Sequence, residues 1–563
     1  MHFTVSEHSI AGIKTVNQDY CLSVVPDTQQ LLHRGAVFVV CDGISSSDVS
    51  QYASQLAADE FAKQYYAASS LWSPIEAANL ALQYCNFKLF SKTQSSEYRD
   101  NPDRGYVCTF VALIVLPEQF FVMHLGDSRC YLRSNERFSQ VTQDQVQTSS
   151  HGDVLLSNAL GHKSSIAPCV FQGATEAGLQ FLLTTDGVHD VLDEAHISSE
   201  LTLSNATIAT RLVNKALKNG SKDNLSAIAI KVESTGAARA NAVIYPLSFL
   251  PVLDVGERID GLTIIDVLHR NHRSHVYLVK PEGMAKPIVL KTPSVEYEND
   301  ANYIQAFKHE EWITQRINSP YVVKTADVVG SRTALYSLYE HINAQSLPAW
   351  LNDKGSPTLS AVRHIASQLA NGIQALHRQD TLHRDIRPQN ILVDENGKVT
   401  LIDLGCASVE NHITTLGLNH MEIPGTAMYT APEYFLGEPG SQGSDIYSLG
   451  VLIYHLLSGE FPYGSNVARA TSYGAQLKLK YTSLLSPDRE LPVWVDETLK
   501  KATHIDPNKR YSEVSEFIHD LHQPNPRFLK QYQRPLLERK PVQFWQTVSA
   551  GLFIIICILI ATR

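Results

Sequence analysis

The chain has 563 residues, which at roughly 150 residues per domain is enough for two to four domains and excludes a single small module. Its 47 Lys and Arg stand against 57 Asp and Glu, a net charge of -10, with 44% apolar and 18% charged residues; this argues against bulk nucleic-acid binding and against global disorder. Eight cysteines, none in a C-x-x-C pair and most inside apolar runs, read as reduced core thiols in a cytosolic setting.

Residues 1–235 alternate short apolar strands with turns: AVFVVCDG, FVALIVL, QFFVMHLGD, FLLTTDG and LSAIAIKV. Tyr52 to Tyr66 and Pro74 to Phe90 carry Ala, Leu and aromatic residues at helical spacing, so the block is expected to be sheets covered by helices. Asp42, Asp127 and Asp186 each end a strand, and Asp223 immediately precedes one. In antiparallel sheets the end of one strand lies beside the start of its neighbour, so the four carboxylates are expected to converge at one rim. Like charges that close need a cation, and an all-oxygen cluster favours Mg2+ or Mn2+. One such Asp beside a Gly is a common turn pair; four together point to a site.

The surrounding residues resemble a family. Asn17-Gln18-Asp19, Val40-Cys41-Asp42-Gly43, Leu125-Gly126-Asp127-Ser128-Arg129, Thr185-Asp186-Gly187 with Asp190, and Gly220-Ser221-Lys222-Asp223-Asn224 look like the ordered motifs of the type 2C metal-dependent protein phosphatases. The resemblance implies a β-sandwich flanked by helices. It also implies that Asp42 bridges two metals, that Asp186 and Asp223 complete the first site, and that the Gly43 carbonyl binds the second metal while Asp127 helps hold a third. Water activated by the two metals would attack phosphorus directly. Two positions depart from the pattern: Gln18 stands where relatives have Glu, and Lys14 stands where relatives often have a phosphate-binding Arg, a point charge in place of a bidentate fork. A solvated surface lysine is the competing reading of Lys14.

Residues 236–257 show no clear periodicity and read as a linker. The block 258–523 begins with strand-like segments and turns helical after about Leu359, as two unequal lobes would. Lys291 ends the strand PIVLK, and Glu310 follows in the helix-like run AFKHEEWITQRI. Then come His383-Arg384-Asp385-Ile386-Arg387-Pro388-Gln389-Asn390, Asp403-Leu404-Gly405 and Ala431-Pro432-Glu433, a spacing that suits one base and two metal-binding groups around a nucleotide. Gly425-Thr426, Asp445, Gly450 and Arg510 agree with the same pattern.

This set resembles the eukaryotic-like Ser/Thr protein kinases, with a bilobal fold. The resemblance implies that Lys291 holds the α- and β-phosphates of ATP and pairs with Glu310, with Glu311 as the alternative partner. It implies that Asp385 accepts the substrate hydroxyl proton, that Asn390 and Asp403 bind Mg2+, and that Arg387 stands where relatives usually have Lys near the γ-phosphate. The nucleotide-covering loop departs from it: relatives have G-x-G-x-x-G, whereas Leu268-His269-Arg270-Asn271-His272-Arg273-Ser274-His275 has no glycine. Either cationic side chains replace the backbone contacts or the loop grips ATP poorly. Thr414 and Thr415 are expected autophosphorylation sites, and Thr426 and Thr430 are expected to shape the substrate site.

Residues 524–543 are basic, and from Phe544 to Ala561 the chain carries no charge over roughly 27 Å of helix. A transmembrane helix over 544–562 is expected, and the upstream Arg and Lys place both catalytic blocks in the cytoplasm. The expected whole is an α+β multidomain protein. It is a membrane-tethered bifunctional Ser/Thr kinase and phosphatase using ATP and Mg2+ or Mn2+, acting on proteins that include itself, with no nucleic-acid partner. Phosphatase-then-kinase order suggests a bacterial inner membrane by analogy. The rival is a signalling scaffold in which one domain, above all the one with the glycine-free loop, binds without catalysis.

Overall fold

The structure, a computed structural model, describes all residues except 135–136, 149–153, 203–206, 236–246, 327–331, 410–426, 486–490, 532–540 and 562–563. Two compact units are present: one holds Met1–Gln315 with Ala326–Tyr339, the other Arg316–Thr325 and most of the chain after Glu340.

In the first unit, residues 1–235 form two five-stranded antiparallel sheets. One has the strand order His2–Ile10, Leu225–Ser234, Gln180–Thr184, Arg129–Ser134, Arg137–Gln140, and the other Cys169–Ala174, Gln119–Leu125, Phe110–Val115, Ala36–Cys41, Tyr20–Val24. The central strands AVFVVC and FVALIV are buried along their whole length, which is why they read as continuous apolar runs rather than alternating ones. Phe38, Val40, Val111, Leu113 and Val122 of one sheet meet Phe181, Leu183, Ile228 and Ile230 of the other in a single core. Each such side chain contributes about 1.5–3 kcal/mol by leaving water. The expected helices are Ser50–Tyr66 and Pro74–Gln94; the second starts on a capping box between Ser73 and Glu76, with Pro74 in its first turn. On the other sheet, Leu212, Val213 and Ala216 of the strongly amphipathic helix Ile208–Lys218 pack against Ala227 and Ala229.

The same unit contains a further five-stranded sheet in the order Arg258–Ile259, Leu262–Arg270, Ser274–Pro281, Ile288–Pro293, Ser337–Glu340, its first four strands antiparallel, with the helix Ala301–Arg316. Of the stretch read as a linker, residues 236–246 lie outside the described residues. The remainder packs against this sheet: Leu250 and Leu253 are buried with Ile264, Tyr277 and Leu290, and Ser248 makes an isolated bridge to Ala334. A linker was expected there because the apolar residues Leu247, Phe249, Leu250, Val252, Leu253 and Val255 follow neither a strand nor a helix period over so short a run.

The second unit is mainly helical. Leu359–His377, Gln442–Ser458, Val493–Ala502 and Val514–His522 pack together, with the short hairpin Ile391–Asp394 and Val399–Leu401 beside them. The chain ends in a helix, Pro541–Ala561, whose Val542, Trp545, Leu552, Phe553, Ile554, Ile555 and Ile558 are exposed. Among the described residues, no helix is long and apolar enough to cross a membrane. The seven described cysteines are all free; Cys41, Cys85, Cys108 and Cys130 are buried as expected, whereas Cys169 is exposed.

Candidate active sites

Antiparallel register brings the first acidic set to one rim. Cys41 pairs with Tyr20, Phe110 with Leu125, and Thr184 with Ala227, so the residues just beyond these pairs, Asp19, Asp42, Asp127, Asp186 and Asp223, all leave their strands at the same end. Two glycines permit the close approach. A methyl group on Gly187 would come within 1.9 Å of the Asn224 carbonyl oxygen, and one on Gly43 within 2.7 Å of Ser50 Cβ and 2.8 Å of the Gln18 carbonyl oxygen. The Asp42 loop is pinned by Thr109, whose hydroxyl accepts from the Asp42 amide at 2.9 Å and whose amide donates to the Asp42 carbonyl at 2.8 Å.

The electrostatics of the rim is that of a site built for positive charge. Burial pushes the Asp42 carboxyl well up, and Asp19, Asp186 and Asp127 add to it. Burial also raises Asp19 to about 6 and Asp127 to about 7, and raises Asp186 with help from Asp223. Asp19 Oδ1 and Asp186 Oδ1 are buried with no hydrogen-bond partner, a costly state for a carboxylate unless a cation meets it. These orphaned oxygens fit divalent cations, although among the described residues no group of three or more His, Cys, Asp or Glu is already drawn in to metal-binding geometry.

One cation is present: the Lys14 ammonium pairs with Asp223 and donates to Ser45 Oγ at 3.0 Å. Lys14 is thus placed against a carboxylate expected to hold metal rather than left as a solvated surface group. Gln18 turns its amide nitrogen away, to the Ser47 carbonyl at 3.1 Å and Ser50 Oγ at 2.7 Å. Asp19, which accepts from Thr185 Oγ1 at 2.9 Å, was missing from the expected ligands. Its position directly before a strand, the same signal that marked Asp223, could have found it.

The second set falls into two parts. In the first unit, Lys291 Nζ donates to both Glu310 oxygens, at 2.9 and 2.8 Å, with the two side chains only 15% and 5% exposed. Glu311 pairs instead with Arg332, at 3.0 Å, so the geometry gives Glu310 the lysine. The glycine-free loop is a tight turn between Leu262–Arg270 and Ser274–Pro281. Asn271 Oδ1 accepts from the amides of Arg273 and Ser274, both at 2.8 Å. Arg270 reaches the Leu253 carbonyl and Asp254 and covers the Tyr277 ring, while the Arg273 carbonyl accepts from Tyr303 Oη and from the Ser294 amide. This turn is held by side chains where a bare-backbone loop was the family pattern.

In the second unit, the segment around Asp385 is organised by Asp445, which is fully buried near the start of Gln442–Ser458. Asp445 accepts from the amides of His383 and Arg384, each at 2.9 Å, and from His377 Nε2 at 2.9 Å. The His377 contact and those amides keep its carboxyl below the ordinary range despite burial. Arg384 and Asp403 adopt left-handed backbone, φ 67° and 64°, a strain of order 1–3 kcal/mol each that is characteristic of functional loops. Asn390 Nδ2 donates to Asp385 Oδ2 at 2.8 Å and to its carbonyl at 2.9 Å, and Arg387 Nε lies 3.1 Å from Asp385 Oδ2. Burial raises the Asp385 carboxyl, with Arg387 opposing. Glu433 and Arg510 form a buried two-point ion pair at 2.7 Å. Thr430 is buried; Thr414, Thr415 and Thr426 lie outside the described residues.

Residues 8–226 match the family model for protein phosphatase 2C, and residues 268–523 match that for the protein kinase domain. The serine/threonine-protein kinase PrkC of Bacillus subtilis is 26% identical over 273 residues, 47% of this chain and 41% of that protein. The chain therefore spans less than half the length of that relative. Among solved structures, the Mycobacterium tuberculosis serine/threonine phosphatase PstP/Ppp is 20% identical and covers 41% of this chain and 99% of its own, with a TM-score of 0.35. The M. tuberculosis PknI kinase domain is 21% identical over 48% of this chain and 98% of its own, with a TM-score of 0.39. The chain joins a domain of the protein phosphatase 2C family to one of the protein kinase family.

Proposed function

We propose that the chain is a bifunctional enzyme that writes phosphate onto protein Ser and Thr with its kinase domain and removes it with its phosphatase domain. The observation that carries this reading is that each domain gathers polar groups suited to its step, an acidic rim with orphaned oxygens in one and the Lys291–Glu310 and Asp385–Asn390 pairs in the other.

In the phosphatase domain, Asp42, Asp186 and Asp223 with the Gly43 carbonyl and Asp127 are the groups that would hold Mg2+ or Mn2+, and the orphaned Asp19 oxygen joins them. Divalent cations bound there supply Lewis acidity toward water and the phosphoryl oxygens. The chain's own part is to keep the carboxylates together at a buried rim and to exclude bulk water from it. Lys14 adds a positive charge at its edge, suited to a phosphate oxygen once Asp223 is engaged by metal.

In the kinase domain, Lys291 would bind the α- and β-phosphates of ATP with Glu310 holding it in place, and Asn390 and Asp403 would bind Mg2+. Asp385, raised by burial, would take the substrate hydroxyl proton, and Arg387 beside it offers charge to the transferring phosphoryl group. The C-terminal helix, with its row of exposed apolar side chains after a basic segment, supports a membrane tether with both domains on the cytoplasmic face. Detergent-dependent release of the full-length protein from membranes, against salt-soluble release of a chain ending at residue 540, tests it.

For catalysis, full-length wild type, Asp42→Ala and Asp385→Ala are incubated with labelled ATP and Mg2+ or Mn2+. Label accumulating on Asp42→Ala and absent from Asp385→Ala is expected. No label on any variant or on added protein substrates would replace the kinase reading with a binding role.

A further inference from the structure

Within the first compact unit, the phosphatase domain packs directly on the helix that carries Glu310. The connection between Ser50–Tyr66 and Pro74–Gln94 is rigid: Arg34, itself buried, donates to the carbonyls of Ala68, Ser69 and Trp72. From this connection Trp72, 2% exposed, stacks on Trp312 and His309 at centroid distances of 6.0 and 6.1 Å, and Trp312 is fully buried. Ser69 Oγ donates to Glu311 Oε1 at 3.0 Å, and Lys308 pairs with Glu76 at 3.1 Å. At 3.6 residues per turn, Lys308, His309, Glu311 and Trp312 occupy one broad face of helix Ala301–Arg316, and Glu310 projects from the opposite side toward Lys291.

We propose that this Ser69–Glu76 connection is a built-in buttress that sets kinase output by holding helix Ala301–Arg316 where Glu310 reaches Lys291. The phosphatase domain then acts on the kinase in two ways, as an enzyme and as a wedge, and the wedge needs its fold but not its metals. Trp72, Glu76, Lys308 and Trp312 are positioning residues that touch neither nucleotide nor substrate. An aromatic stack flanked by an ion pair and a hydrogen bond is the arrangement of an interface hot spot, so truncating Trp72 is expected to release the helix. Misplacing a phosphate-binding lysine by an ångström costs on the order of 10²-fold in rate.

The inference rests on the kinase reading, and the test separates the two. Full-length wild type, Trp72→Ala, Trp72→Phe, Glu76→Lys, Lys308→Glu and the Glu76→Lys/Lys308→Glu double variant are assayed for ATP-dependent phosphorylation of an added basic protein. Their hydrolysis of para-nitrophenyl phosphate is followed as a measure of an intact phosphatase fold. Amide hydrogen exchange over residues 301–316 is measured in the same samples. Trp72→Ala is expected to lose roughly tenfold or more in kcat/KM for ATP with para-nitrophenyl phosphate hydrolysis within about twofold of wild type, and to exchange faster over 301–316. Trp72→Phe is expected to recover most of the loss, and the charge-swapped double variant to exceed either single one. Unchanged kinase activity and unchanged exchange in Trp72→Ala would overturn the buttress. A wild type without kinase activity sinks the kinase reading instead, and the exchange data then still decide whether the connection holds the helix.

Discussion

The phosphatase and kinase domains treat the carboxylates of their candidate sites in opposite ways. The kinase domain supplies basic partners from its own chain for the acids around its candidate site: Lys291 for Glu310, Arg332 for Glu311, Arg387 for Asp385, His377 for Asp445 and Arg510 for Glu433. The phosphatase domain collects Asp19, Asp42, Asp127, Asp186 and Asp223 with one lysine among them, and burial raises four of the five. One domain is preorganised by internal ion pairs; the other leaves its charge for ions to complete. Buried pairs stabilise the geometry they hold, whereas an uncompensated cluster trades stability for affinity toward cations.

Breaking the acidic rim gives the largest effect. Asp42→Ala is expected to lower para-nitrophenyl phosphate hydrolysis by about 10³-fold or more while phosphorylation of an added substrate persists, whereas chelation is expected to stop both activities and added Mn2+ to restore hydrolysis in the wild type only. In the kinase domain the largest effect is on folding. Glu433→Ala leaves Arg510 buried and unpaired, which costs about 3–5 kcal/mol and is read as a lower urea midpoint of the kinase transition.

Acid should probe the phosphatase core. His124 is buried in the strand Gln119–Leu125, and burial pushes its imidazole down to about 4. Between that value and the unfolded value of about 6.5, the unfolded chain binds more protons. Stability from a neutral His124 is therefore full above pH 6.5 and falls as the pH drops toward 4, by about 3 kcal/mol at most. The raised aspartates work with the opposite sign, so the measurement is the difference between wild type and His124→Phe in urea melts at pH 7.5 and 5. The variant is expected to lose less.

The smallest effect sharpens the comparison most. Lys14→Ala frees Asp223, and because the pair is partly exposed its loss is worth about 1 kcal/mol. The Mn2+ concentration for half-maximal hydrolysis is expected to fall about fivefold while KM for phosphopeptide rises. An unchanged Mn2+ requirement would show that the pair does not compete with metal.

Much of both sites was legible because their residues sit at fixed offsets from apolar runs. Asp42, Asp127 and Asp186 follow strands whose burial on both faces makes them continuous Val, Phe and Leu runs, and antiparallel pairing then dictates a shared rim. Asp19 escaped because its strand, Tyr20–Val24, is half-buried and lacks so plain an apolar run. The choice between Glu310 and Glu311 could not be made from adjacent positions on a helix, since one residue is a rotation of about 100° and only packing fixes the phase. The turn at Asn271 was visible as missing glycines but not as a hairpin tied to Leu253, because its partner lay in a stretch with no pattern.

The order and identity of the chemical groups belong to local sequence: strand, turn and carboxylate spacing are short-range properties that survive in the unfolded chain. Tertiary structure alone decided what stands behind each group. Lys14 meets Asp223, Asp445 meets the amides of His383 and Arg384, and Trp72 meets Trp312 across 240 residues of chain. Such contacts carry no periodic signal, because they form between faces of separate elements whose relative phase is set only when the cores pack.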